Sequence, residues 1–111
     1  MATVYAVSWG AEGGAFVTNT ARQEYINYMV KCGAGRNYQK VEEKFNELPD
    51  NVYMVGPFSE AIEDVKIELY VSREEAIKSK RYFESEHNDV VHIEQYVLTG
   101  NIYKYKTDLS L

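Results

Sequence analysis

One cysteine, two histidines and no apolar run of even ten residues are the first constraints this sequence sets. A single thiol, Cys32, cannot close an internal disulfide, which suits a reducing cytoplasm and excludes a disulfide-stapled secreted scaffold. Cys32 with His87 and His92 falls short of a structural zinc set, so no metal and no cofactor are expected. Without a long apolar run there is no segment to span or enter a bilayer, and no membrane partner is expected. The start, Met1-Ala2-Thr3-Val4-Tyr5, enters a strand pattern directly, without the basic and apolar regions of a leader, so the expected location is cytoplasmic.

What is present is ordinary globular composition over 111 residues, enough for one α+β domain spanning 1–111. A chain of this length hides roughly two thirds of its unfolded surface without staples. The net charge of −5 is unevenly placed. Between Glu42 and Glu75 there are ten acids and three bases, a balance of −7, while the remainder carries seven acids and nine bases, or +2. Such a field repels phosphate backbones and draws basic surfaces, so direct nucleic-acid binding is disfavoured and a protein partner with a basic surface is expected. A solvated acidic face that only maintains solubility is the alternative.

The clearest local signal lies between Val65 and Leu98. Apolar and polar residues alternate from Val65 to Val71, the period of a half-buried strand. Ser72-Arg73-Glu74-Glu75 then has the spacing of a capping box, predicting a helix to about Glu86 with Ala76, Ile77, the stem of Lys80 and Phe83 on its buried side. His87-Asn88-Asp89 breaks it, and Val90 to Leu98 reads as the next strand. Thr99-Gly100-Asn101 turns into a closing strand from Ile102 to Lys106.

Earlier in the chain, Thr3 to Trp9 reads as a central strand. Gly10-Ala11-Glu12-Gly13-Gly14 is a turn, and Ala15 to Thr18 a short hairpin arm. A helix capped by Asn19 or Thr20 runs to Cys32, with Ala21, Tyr25, Tyr28 or Met29, and Cys32 on one face and Gly33 as its stop. Val41, Phe45 and Leu48 predict a second helix from Asn37 to Leu48, stopped by Pro49-Asp50; a strand from Tyr38 to Val41 leading into it competes. Val52 to Val55 is a strand, followed by an irregular acidic loop, Gly56 to Asp64. This order predicts a mainly antiparallel sheet with two or three helices on one face, in a ferredoxin-like split β-α-β arrangement with an added C-terminal hairpin strand.

No catalytic residue stands out. Cys32 lies on an apolar helical stripe where thiols are usually inert filling, and the paired acids Glu42-Glu43, Glu63-Asp64 and Glu74-Glu75 point apart on their elements. The glycine turn after a strand invites a phosphate-loop reading with Trp9, Gly10, Gly13 and Gly14 as ligand contacts, but its spacing fits neither a dinucleotide fingerprint nor a Walker loop, and Glu12 opposes an anion. If Val65, Ile67, Leu69 and Val71 face the helices, then Tyr70 and Tyr96 share an outer aromatic sheet face. Tyrosine is a favoured interface residue, so this face, or an edge strand, is a candidate for self-association as a symmetric homodimer.

Tyr5-Ala6-Val7, Gly10, Gly14 with Phe16, then Gly33-Ala34 and Lys40 resemble the small hybrid-binding domain at the N-terminus of some ribonucleases H. A Tyr-Ala-Val strand, a glycine turn and a later Gly-Ala-x-x-Tyr-Lys segment recur there. The resemblance covers the first forty residues. The basic residues that follow the first strand in that family are here Ser8, Trp9 and Glu12, so its activity does not carry over.

The functional expectation is a non-catalytic binding protein that occupies a basic surface of a host protein. The acidic tract would supply Glu60, Glu63 and Asp64, the Pro57-Phe58 loop would supply Phe58 as an anchor, and Tyr70 and Tyr96 would add aromatic area. Small size, few leucines and many Tyr, Asn, Lys and Glu are typical of viral or mobile-element accessory proteins, including inhibitors of host defence. Two other classes remain open: a small-molecule or nucleotide-signal binder with a pocket near Gly10–Gly14, and a small enzyme using carboxylates or His92.

Overall fold

The computed structural model describes residues 1–9, 12–57, 67–87 and 91–109, with backbone alone at 57 and 87. The order is β1 (Ala2–Ser8), β2 (Gly13–Phe16), α1 (Asn19–Lys31), β3 (Gln39–Phe45), β4 (Asn51–Pro57), β5 (Glu68–Tyr70), α2 (Arg73–His87), β6 (Val91–Thr99) and β7 (Ile102–Asp108). The fold class is α+β, as expected.

Two antiparallel sheets form instead of one. The first has the order β2-β1-β3 and the second β5-β4-β6-β7. In each, the first strand of a β-β-α-β unit sits in the middle and pairs antiparallel with both later strands. The two outer strands are therefore parallel to each other and joined by a helix that crosses over the central strand. A strand–helix–strand crossover of this kind thus occurs in each sheet, and β7 follows as a further C-terminal strand.

Alternation along the strands assigns the layers. Val4, Ala6 and Ala15 of the first sheet share one core with Val52, Met54, Ile67, Leu69, Tyr96 and Tyr103 of the second. The intervening residues face outward toward the helices: the Arg22 guanidinium of α1 lies 5.3 Å from the centre of the Tyr5 ring, and Phe16 and Tyr25 are ring neighbours at 5.2 Å. On the far side Tyr53, Val55, Val91 and Ile93 pack with Ala76, Ile77 and Phe83 of α2. The result is four layers, helix, sheet, sheet, helix. The expectation of helices on one face of a single sheet fails because two strand faces, each apolar, bury more area against each other than against water.

The local corrections have physical causes. Asn37 to Leu48 is not a helix: Gln39–Phe45 pairs with β1 over seven residues. Val41 and Phe45 are four apart, which puts them on one face of a strand as well as of a helix, so the spacing does not discriminate. The α1 cap is Thr18, whose Oγ1 accepts the Ala21 amide at 3.0 Å, not Asn19 or Thr20. The buried face of α1 carries Arg22 and Ile26, while Tyr28 and Cys32 are exposed, so the stripe is rotated by about one residue from the predicted one. Gly33 does end the helix, at φ +101°, where a side chain would be strained.

The α2 start shows the serine half of the predicted capping box: the Glu75 amide donates to Ser72 Oγ at 3.3 Å, while the carboxylate that Ser72 bonds is Glu74, its hydroxyl donating to Glu74 Oε2 at 3.1 Å. Leu69 and Ile67 face the inter-sheet core, so Tyr70 points to the α2 side rather than away from the helices.

Candidate functional site

The ten tyrosines divide by layer. Tyr53, Tyr96 and Tyr103 are buried, Tyr28, Tyr82 and Tyr105 are more than half exposed, and the other four are intermediate. Tyr96 is only 2% exposed, so it lies between the sheets and not on an open aromatic face. Its hydroxyl donates to Glu94 at 2.5 Å, and burial holds its ionisation far above the ordinary tyrosine value. Burial also pushes the Glu94 carboxyl up; the Tyr96 hydrogen bond opposes this, Asp108 adds to it, and His92 opposes it. His92 Nδ1 is 3.2 Å from Asp108 Oδ2 at the margin of this cluster. Cys32 ends α1 in a different layer from His92, and among the described residues no group of three His, Cys, Asp or Glu side chains is placed to hold a metal ion.

The glycine turn is used for packing. A Cβ on Gly13 would meet Val7 O at 2.5 Å and Met54 Cε at 3.0 Å, and one on Gly14 would meet the Phe16 ring at 2.9 Å. Tyr25 lies over this hairpin, its hydroxyl donating to Gly13 O at 3.5 Å. Trp9 packs between Tyr25 and Tyr38, with ring centres at 5.8 and 5.2 Å, and donates its indole N–H to Gly35 O at 2.7 Å. Gly10 lies outside the described residues, as do Phe58, Glu60, Glu63 and Asp64.

Two surface grooves among the described residues bear on a binding site. The smaller, about 390 Å³, lies between α1 and the loop that Trp9 ties down, and Asn27, Lys31, Arg36 and Tyr38 are among its lining residues. The larger, about 490 Å³ and wide open to solvent, lies between β5 and α2 and is lined by Glu68, Tyr70, Glu75, Lys78, Ser79 and Tyr82. Tyr70 is the one sequence-predicted partner contact that the described residues place on such a surface. Its hydroxyl donates to Glu68, and burial, then that carboxylate, raise its ionisation. Tyr82 stands 62% exposed across the groove, and Val71, 47% exposed, follows Tyr70 in the chain.

The sequence reading missed Tyr82 and gave Glu75 to the helix cap and the acidic tract, not to a groove. The signal was there: Glu75, Lys78, Ser79 and Tyr82 are spaced i, i+3, i+4, i+7, one face of a helix. Chemically, two carboxylates and two phenol rings on a concave open surface suit a cation with an apolar stem. A lysine or arginine side chain can lay its methylenes on the rings and put its charge between Glu68 and Glu75.

Searches of protein-family models, curated proteins and solved structures found no match for this chain.

Proposed function

We propose that this chain is a non-catalytic binding protein that takes a lysine- and arginine-rich segment of a partner protein into the groove between β5 and α2. The observation that carries the reading is the pairing there of Tyr70 and Tyr82 with Glu68 and Glu75. Glu74, beside the groove, is held below the ordinary carboxylate range by its own backbone amide and the Ser72 hydroxyl, so it stays charged under mildly acid conditions. In sequence Glu60, Glu63 and Asp64 precede β5 closely and extend the same sign of charge. Occupying a basic surface in this way denies that surface to nucleic acid, which is how a viral or mobile-element accessory protein would inhibit a host defence protein.

The test is the affinity of the folded protein for a fluorescently tagged peptide of about twelve residues rich in Lys and Arg. Glu68→Lys with Glu75→Lys should slow association and flatten the salt dependence. Tyr82→Ala should speed dissociation and cost on the order of 1–2 kcal/mol, about tenfold in Kd. Equal affinity for all three proteins, with circular dichroism unchanged, would refute the groove as the site.

The α1 groove favours a second reading, a small-molecule site. Lys31 and Arg36 are two cations without an ion pair among the described residues, and they would attract an organic anion. Inorganic phosphate shifting amide resonances at Asn27 and Arg36, and not at Tyr82, would favour it over the peptide groove.

A further inference from the structure

The two sheets leave two long edges, β3 and β7, and their charges differ in a way that bears on self-association. On β3 the phase of the backbone ladder can be worked out. Nη1 of Arg22 is 3.4 Å from both Ala6 O and Val41 O. One atom reaches both only if the two carbonyls face each other between β1 and β3, because in the other phase of an antiparallel pair they point apart. Ala6 and Val41 are therefore a hydrogen-bonded pair. The groups of Lys40, Glu42 and Lys44 therefore point to the outer edge of the sheet, where all three residues are exposed.

We propose that β3 pairs antiparallel with β3 of a second copy of this chain, with the two-fold axis at Val41, joining the two three-stranded sheets into one of six strands. In this register Val41 sits opposite Val41 of the partner subunit as a non-hydrogen-bonded pair. Lys40 faces Glu42 of the partner subunit, and Glu42 faces Lys40 of the partner subunit, each as a hydrogen-bonded pair. The outward groups then bond without a break in the ladder. On the α1 side, Glu42, which accepts from Arg22 Nη2 at 2.5 Å, stands between that guanidinium and the incoming ammonium.

Charge selects this register. An axis at Glu42 sets Glu42 against Glu42 and Lys40 against Lys44, an axis at Glu43 sets Glu43 against Glu43, and an axis at Lys40 sets Lys40 against Lys40. Like charges directly opposed are destabilising. On β7 the central axes, at Lys104, Tyr105 or Lys106, each put lysine over lysine, the usual protection of an edge strand. The dimer uses a different surface from the α2 groove. Its failure is read in molecular mass and that of the groove in peptide affinity, so the two are separable.

The experiment is sedimentation equilibrium at roughly 100 μM, well above a micromolar Kd. The native chain should sediment at twice its 12.8 kDa mass. Lys40→Glu alone and Glu42→Lys alone should each weaken dimerisation on the order of tenfold or more, since both symmetry-related pairs become repulsive. An equimolar mixture of the two variants should recover a dimer, because every opposed pair is then of opposite sign. In a Cys32→Ser background, Val41→Cys should cross-link on mild oxidation and Glu43→Cys should not. A native monomer, or a dimer indifferent to Lys40→Glu, or no complex on mixing two folded variants, would overturn the proposal.

Discussion

Arg22 gives the sharpest stability prediction, because its burial and its bonding argue in opposite directions. Only 3% of the side chain is exposed, yet its hydrogen bonds are unequal: Glu42 at 2.5 Å, Asn19 at 3.0 Å and two carbonyls at 3.4 Å, with Nε unpaired. Glu42 is 53% exposed, so water screens that ion pair and it contributes about 1 kcal/mol or less. Ala6 and Val41 keep their ladder bonds when the guanidinium is removed, so no backbone acceptor is stranded. The buried stem is worth more, about 0.8 kcal/mol for each of its methylenes, or roughly 2 kcal/mol in all. Contact with the Tyr5 ring adds about 0.5–1 kcal/mol. Removing a buried cation gives back part of its desolvation cost.

Arg22→Ala should therefore cost about 3 kcal/mol, while Arg22→Met, which keeps a stem of similar length, should cost about 1 kcal/mol or less. The assay is urea unfolding followed by fluorescence of the single tryptophan, Trp9, at fixed protein concentration so that any dimer linkage is constant. Equal losses in the two variants would show that the charge, not the stem, holds α1 to its sheet, and would refute the partition.

Ser72→Ala should destabilise by about 1 kcal/mol, because the Glu75 amide loses its cap; an unchanged urea midpoint would remove that role. Glu94 has its folded-state pKa raised, chiefly by burial, so the native state binds more protons than the unfolded state just above the ordinary carboxylate range. Stability should fall as pH rises through that window, and Glu94→Gln should flatten the fall; urea midpoints measured from about pH 4 to 7 that keep the same slope in the variant would contradict it.

How far the fold was legible depended on whether local pattern and tertiary context agreed. Around α2 they agreed: Ser72 capped it, Ala76, Ile77 and Phe83 faced the sheet, and strands flank it, Glu68–Tyr70 inside the predicted Val65–Val71 and Val91–Thr99 close to the predicted Val90–Leu98, with Val65, Lys66 and Val90 outside the described residues. At β3 they did not. Gln39–Phe45 is rich in Glu and Lys, which favour helix, and Val41 and Phe45 fit either period; seven residues of pairing with β1 decided the matter. Arg22 was illegible for a related reason. A sequence stripe is drawn through apolar residues, and a cation whose stem packs under a helix is passed over. The separation into two sheets was hidden as well, since Tyr70 and Tyr96 alternate identically whether the opposite layer is a helix, a sheet or water. Of the candidate site, Tyr70 was legible as a polar-tipped aromatic on a strand, whereas Tyr82 required the α2 face to be read for its exposed side and not only its buried one.

The most direct test of the binding-groove account is a titration of isotope-labelled protein with the same Lys/Arg-rich peptide, followed by amide chemical shifts. The account predicts the largest changes at Tyr70, Glu75, Ser79 and Tyr82, saturating at micromolar to submillimolar peptide and shrinking as salt is added. Changes centred on α1 or β3, or none at about 1 mM peptide, would contradict it.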